Sequence, residues 1–338
     1  MCRELVFPVS VGLHNEYKLT THKADAQGNP IPGTERDRTG WFHNLITDHG
    51  LNQFGVLRNS FTNWARGCRV GSGNSTPTTS DTNLQATIAT TNNFIYVGLS
   101  RQLAEAPYYI EKTTMYRFGV GAAAGNVAEV GLVAGTSDSE ATNPATPVVT
   151  RALVVDSNGD PIVVTVLADE ILDVTVRQRL YIPGDVTGTI VPAGGVSGAI
   201  DYVIRPCYVN RNPAGTNLPG WGDEYTTYTC WNFGLRQQAA AFTGASSGIQ
   251  GITDGPTGTK VSVPSAGYTS PPYIPNSYYT DVKAAYGLDM ANDPSGIGAM
   301  MLPFGSCSFQ IGFTPRIMKT SDHLFDITLR LTWGRYAP

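Results

Sequence analysis

"ADEILDVTVR" at residues 168–177 and "SDHLFDITLR" at residues 321–330 are nearly one segment written twice. Asp169, Asp173, Thr175 and Arg177 answer to Asp322, Asp326, Thr328 and Arg330. The residues between them exchange one apolar type for another, apart from Glu170 against His323. In the second copy Phe325, Ile327, Leu329, Leu331 and Trp333 take alternate positions, and in the first Leu172, Val174, Val176, Leu180 and Ile182 do. Successive side chains of a strand point to opposite sides, so this period marks a β-strand with one buried face. Asp173, Thr175, Arg177 and Arg179 then form the other face, which reads as solvated and as following a turn at Asp169.

The likeness extends upstream. "AEVGL" (128–132) precedes the first copy and "FQIGF" (309–313) the second, each followed by an Arg-containing stretch. The first copy carries a longer insertion, "VAGTSDSEATNPATPVV", whose Ser, Thr and Pro mark a surface loop. "RALVVDSNGDPIVVTVL" reads as a hairpin turning at Asn158-Gly159, and "EYKLTTHKAD" leads into a similar turn at Gln27-Gly28-Asn29-Pro30. Residues 185–200 are Gly- and Val-rich, a boundary or a hairpin, and residues 210–275 lack long periodic runs and read as extended loops. Helical signals are sparse. Ser80 or Asp81 is placed to cap a short helix running toward Ile88, and residues 279–286 ("YTDVKAAY") suggest another.

Composition agrees with a strand-rich chain. Charged residues are 15% of the 338, while 37 Gly and 22 Pro supply turns, and 41% hydrophobic residues suffice for a core. A net charge of −4 without a basic run gives no electrostatic footing for nucleic acid. The opening "MCRELVFPVSVGLHNEY" lacks the pattern of a secretion signal, and no window approaches the roughly 18 uninterrupted apolar residues of a membrane helix. Cys2, Cys68, Cys207, Cys230 and Cys307 are scattered without CxxC spacing, which fits thiols kept in a reducing compartment; a Cys207–Cys230 pair stays open.

Candidate chemistry is thin. Asp169, Glu170 and Asp173 suggest acid–base or calcium chemistry, but strand rise sets the two aspartates about 13 Å apart, too far for a retaining pair. "DSNGDP" begins like a calcium loop, yet Pro161 stands where Gly is required and Leu167 where the bidentate Glu belongs. His43, Asp48 and His49 match neither HExxH nor a Cys/His finger. The Gly pairs at 71/73 and 119/121 lack a phosphate-loop setting. We therefore expect no catalytic residues, no cofactor and no metal. Trp221, Trp231, Tyr268, Tyr273, Tyr278 and Tyr279 are aromatics that would anchor a protein interface or stack on a glycan, the interface being preferred.

Several segments resemble a known family as a set. "WFHNLITDHGLNQFG" (41–55) with "CRVGSGNSTPTTSDTNL" (68–84) resembles the opening of tailed-bacteriophage virion structural proteins. So do "YRFGVGAAAGNVAEVGL" (116–132) and "RALVVDSNGDPIVVTVLADEILDVTVRQRLY" (151–181), and "SFQIGFTPRIMKTSDHLFDITLRLTWGRY" (308–336) is similar to closing segments of such proteins. The resemblance covers about residues 40–182 and leaves 183–300 unmatched. It implies a self-assembling subunit of a tail, neck-collar or fibre attachment, made in the bacterial cytoplasm and residing in the virion, and it carries no catalytic residues.

The expectation is a mostly β protein, an antiparallel sandwich or jelly-roll-like architecture with a second β-rich, loop-rich part and few short helices. Its parts would be an N-terminal hairpin or arm over 1–40, a sandwich over 41–184 and a second part over 185–338 closed by strands within 307–336. The arm would pair with a neighbouring subunit's sheet edge. The expected partners are copies of the chain, other virion proteins and tail fibres, without nucleic acid or membrane. Rival readings are a receptor- or glycan-binding tail module, a capsid decoration protein, and a depolymerase using Asp169 or Glu170.

Overall fold

The computed structural model describes residues 5–56, 64–192, 198–209, 239–304 and 307–337. It is mostly β, with antiparallel pairing throughout the ladders traced below, and has short helices at Asp48–Val56 and Asp138–Thr142. Two compact units emerge. The first-copy unit comprises Gly12–Arg101, Glu111–Tyr181 and Gly334–Pro338; the second-copy unit comprises Met1–Val11, Gln102–Ile110 and Ile182–Trp333.

In the first-copy unit, Gly12 to Lys23 pair with the repeat strand Glu170–Tyr181 residue for residue, from Gly12 opposite Tyr181 to Lys23 opposite Glu170. The other edge of this stretch carries the two-residue strands Arg36–Asp37 and Phe42–His43. A second sheet orders Leu45–Ile46, Thr150–Leu153, Glu129–Val133, Gly67–Gly71 and Thr87–Thr91. Tyr17 of the first sheet is fully buried and its hydroxyl meets that of Thr150 in the second, so the two layers share one core. Leu172, Val174, Val176 and Leu180 line it at 0% exposure.

The second-copy unit contains a six-stranded antiparallel sheet in the order Val186–Ile190, Ile200–Cys207, Cys307–Ile317, Ile297–Phe304, Ala240–Gly248 and Thr257–Ser262. Its other strands include Tyr279–Tyr286, paired with the second repeat strand Phe325–Arg335. Phe7 sits edge-on to Tyr202 at 4.8 Å between ring centres, and Phe313 lies 6.2 Å away, which joins the opening strand to the six-stranded sheet. Phe325, Ile327, Leu329, Leu331 and Trp333 are buried, as their alternation requires.

Both anticipated turns form. Asp156 Oδ1 accepts the N–H groups of Asn158 and Asp160, and Asp25 Oδ1 accepts those of Gln27 and Asn29. Gly159 (φ +88°) and Gly28 (φ +82°) take the left-handed conformation that closes each turn without a Cβ penalty.

Gly12–Lys23 pairs with Glu170–Tyr181 and folds back on Arg36–Asp37, and Phe7, Val9, Val11, Leu13, Tyr17 and Leu19 of the opening strand Leu5–Lys23 are all buried. Several expectations are corrected. Ser80 and Asp81 do not cap a helix. Asp81 instead accepts the Thr78 N–H in a turn, and the following Thr87–Thr91 pairs with Gly67–Gly71. "YTDVKAAY" is a strand with strictly alternating burial, because the closing strand offers it a complete ladder. The polar face of the first repeat strand is only partly solvated: Asp173 is 1% exposed, whereas Thr175, Arg177 and Arg179 are half-buried. Residues 239–275, expected as loops, contain the strands Ala240–Gly248 and Thr257–Ser262, while 185–200 opens a hairpin from Val186–Ile190 to Ile200–Cys207. Cys68 and Cys207 are buried thiols; Cys230 lies outside the described residues.

Candidate functional site

On a strand, residues i and i+2 share a face, so His14 and Glu16 stand side by side. Glu16 lies opposite His43 on one neighbouring strand, and His14 lies opposite Arg179 on the other. His43 Nδ1 is 3.1 Å from His14 Nε2, and Glu16 Oε1 is 4.0 Å from His14 Nε2 and 3.8 Å from His43 Nδ1. The second Glu16 oxygen meets Arg179 Nη2 at 3.2 Å, and Arg179 Nε reaches Glu111 Oε2 at 2.6 Å. His14 Nδ1 faces the Tyr336 carbonyl at 3.3 Å. His14 holds the Glu16 carboxyl below the ordinary carboxylate value against the opposing pull of burial, with Arg179 and His43 adding to the effect.

Two imidazoles and a carboxylate are metal-type donors, and the carboxylate is kept charged. The grouping differs from the one suggested by "WFHNLITDHG". Asp48 is engaged by Arg335, and His49 lies half-buried on the helix, its proton affinity lowered by that burial. His43 alone of that set joins the cluster, across a ladder that brings residues 29 positions apart into contact.

The acidic candidates are consumed by the fold. Asp169 sits in a turn and binds Lys23 Nζ at 3.0 and 2.8 Å. Glu170 accepts the Leu167 N–H at 2.9 Å. Asp173 receives a two-pronged bond from Arg117 at 2.8 and 2.7 Å, and His22 Nε2 lies 2.9 Å from it. Glu170 and Asp173 are buried, while the Asp169 side chain stays 66% exposed beside Lys23.

The segments that carry the family resemblance build a second polar network. Glu129, wholly buried, accepts the N–H groups of Gly73, Gln85 and Ala86 together with Arg151 Nε at 2.9 Å. Arg151 continues to Asp81 at 2.7 Å and to both oxygens of Ser75. Thr47 accepts the Gly50 N–H at the start of the helix Asp48–Val56 and donates to the Val148 carbonyl. A Cβ at Gly50 would lie 2.1 Å from the Val149 oxygen, so only glycine fits there. These side chains fasten loops to the sheet.

Among the aromatic candidates, Tyr268 is corrected from surface to core, at 6% exposure with its hydroxyl donating to the Pro303 carbonyl. Tyr273 packs against Trp333 at 5.6 Å, and the Arg330 guanidinium lies over the Tyr279 ring at 4.0 Å. Tyr273, Tyr279, Pro271, Pro272, Ile274 and Asp281 line a recess of about 180 Å³. Tyr278 follows at positive φ (+55°), which carries the chain from this loop into the strand Tyr279–Tyr286. Trp221 and Trp231 lie outside the described residues.

A scan against family models finds no match, and neither curated proteins nor solved structures match the chain.

Proposed function

We propose that this chain is a non-enzymatic structural subunit of a tailed-phage virion, a neck-collar or tail component that oligomerises around the tail axis and contacts neighbouring virion proteins or fibres. The observation that carries the reading is the fate of the segments resembling such proteins. Within them Asp48, Asp81, Glu129 and Arg151 are engaged in ion pairs that brace loops on a β scaffold. A subunit whose work is to hold shape spends its polar groups this way. The six-stranded sheet adds terminal strands, Val186–Ile190 and Thr257–Ser262, whose side chains are half-buried to exposed. Strand ends of a sheet are natural places for a neighbouring chain to add on. Mass spectrometry and cryo-EM of purified particles test the proposal directly, with light scattering on the purified chain as a companion. A chain that stays monomeric at high concentration and is absent from the particles defeats it.

A receptor- or glycan-binding tail module is the second reading, and the recess around Tyr273 and Tyr279 favours it. Both rings already pack against a neighbour, which leaves less stacking surface for a sugar. Glycan-array binding abolished by Tyr273→Ala and Tyr279→Ala would move the assignment to this reading.

A further inference from the structure

We propose that His14, Glu16 and His43 form a binding site for a divalent first-row transition-metal ion of the Zn²⁺ class. The geometry is specific. His14 Nε2, His43 Nδ1 and Glu16 Oε1 make a triangle with sides of 3.1, 3.8 and 4.0 Å. The point equidistant from its corners lies about 2.1 Å from each atom, the length of a Zn–N or Zn–O bond. The distances from Glu16 Oε1 to the ring nitrogens are too long for hydrogen bonds and suit ligands on a shared ion.

The tautomer of His14 follows from its partner. A carbonyl oxygen only accepts, so the contact with the Tyr336 carbonyl puts the His14 proton on Nδ1 and leaves the Nε2 lone pair facing the cluster. Metal-bound histidines are usually oriented in this way by a second acceptor. Arg179 plays the matching part for the carboxylate, binding Oε2 and leaving Oε1 toward the histidines. Its positive charge is shared with Glu111, which limits its repulsion of a cation.

Donor chemistry selects the class of ion. Two imidazoles and one carboxylate suit zinc and its first-row neighbours, whereas Ca²⁺ and Mg²⁺ require mostly oxygen ligands. The rigid ladder holds His14 and Glu16, and the His43 side chain, 64% exposed, borders solvent, so a water can complete the coordination. An ion here would tie the opening strand to the short strand Phe42–His43. The inference does not depend on the virion reading.

The test uses untagged, chelator-treated protein titrated with CoCl₂ and followed by visible absorption, then with ZnCl₂ as competitor. The expected result is one Co²⁺ per chain, displaced by Zn²⁺, with binding weakened at least about tenfold in His43→Ala and in Glu16→Gln. His43 is exposed enough for its substitution to preserve the fold, which circular dichroism checks. A rise in melting temperature with ZnCl₂ should occur in the wild type and vanish in His43→Ala. The proposal is overturned if the wild type shows no saturable binding, or if His43→Ala binds as tightly as the wild type.

Discussion

The two repeat strands use one charge pattern in two settings. In the first copy Asp173 binds Arg117 of the adjacent strand, and Arg177, four residues on, lies 3.8 Å from Glu111 and stacks on Trp41. In the second copy Asp326 binds Lys283 at 2.9 Å, and Arg330 binds Asp281 at 2.8 Å and stacks on Tyr279. A base paired with the aspartate, an acid near the arginine and an aromatic ring beneath the guanidinium recur in both. What differs is cover: the Asp173 side chain is 2% exposed and the Asp326 side chain 38%. The sequence pattern determines which groups pair, while neighbouring residues such as His22, beside Asp173, determine what the pair is worth.

Asp173→Ala should give the largest effect. Removing one member of a buried pair strands Arg117 and His22, and a loss of about 3–5 kcal/mol is expected from denaturant unfolding. A loss below 1 kcal/mol would erase the contrast between the copies. The apolar faces should behave alike. Leu172→Ala and Leu329→Ala, one in each copy and both at 0% exposure, should each cost about 2–5 kcal/mol. A wide gap between these two would show that the copies differ in packing as well as in cover.

A smaller effect belongs to the first-copy unit and depends on pH. Glu16 has a folded pKa below its ordinary 4.5, so its ionised form adds stability above that value. The contribution is lost as pH falls through the lower folded value. The stability gap between wild type and Glu16→Gln, measured without metal, should therefore narrow below pH 4.5, and a gap constant with pH would contradict it. Asp326→Ala comes last. Its half-exposed pair with Lys283 should be worth less than about 1 kcal/mol, and less again at high salt.

The repeat strands and both hairpins were legible in the sequence, because period-two alternation and Asn-Gly or Gly-Asn turns are local signals. The opening strand carries the same alternation from Phe7 to Leu19, yet alternation cannot say whether a strand lies at an edge or inside. The opening residues were expected to pair with a neighbouring subunit's sheet edge, whereas Gly12–Lys23 forms its ladder with Glu170–Tyr181 of the same chain. "YTDVKAAY" shows propensity overridden: Ala and Lys favour helix, but eight paired positions on the closing strand prevail. Asp81 was misread because a carboxylate that accepts a backbone N–H makes a turn as readily as a helix cap. The histidine cluster left no local trace, since His14 and His43 meet only through the pairing of Glu16 with His43.

The last residues of the first-copy unit have a consequence for synthesis. Tyr336 stacks on Tyr181 at 3.7 Å, donates its N–H to the Leu13 carbonyl and fills the space beside Gly12. A ribosome that has finished the first repeat has therefore not yet supplied what closes its unit, and more than 150 further residues must emerge before Tyr336 does. Closure late in translation leaves the Gly12–Tyr181 end of that sheet uncapped in the nascent chain. That interval is when the chain is most open to pairing with the wrong partner.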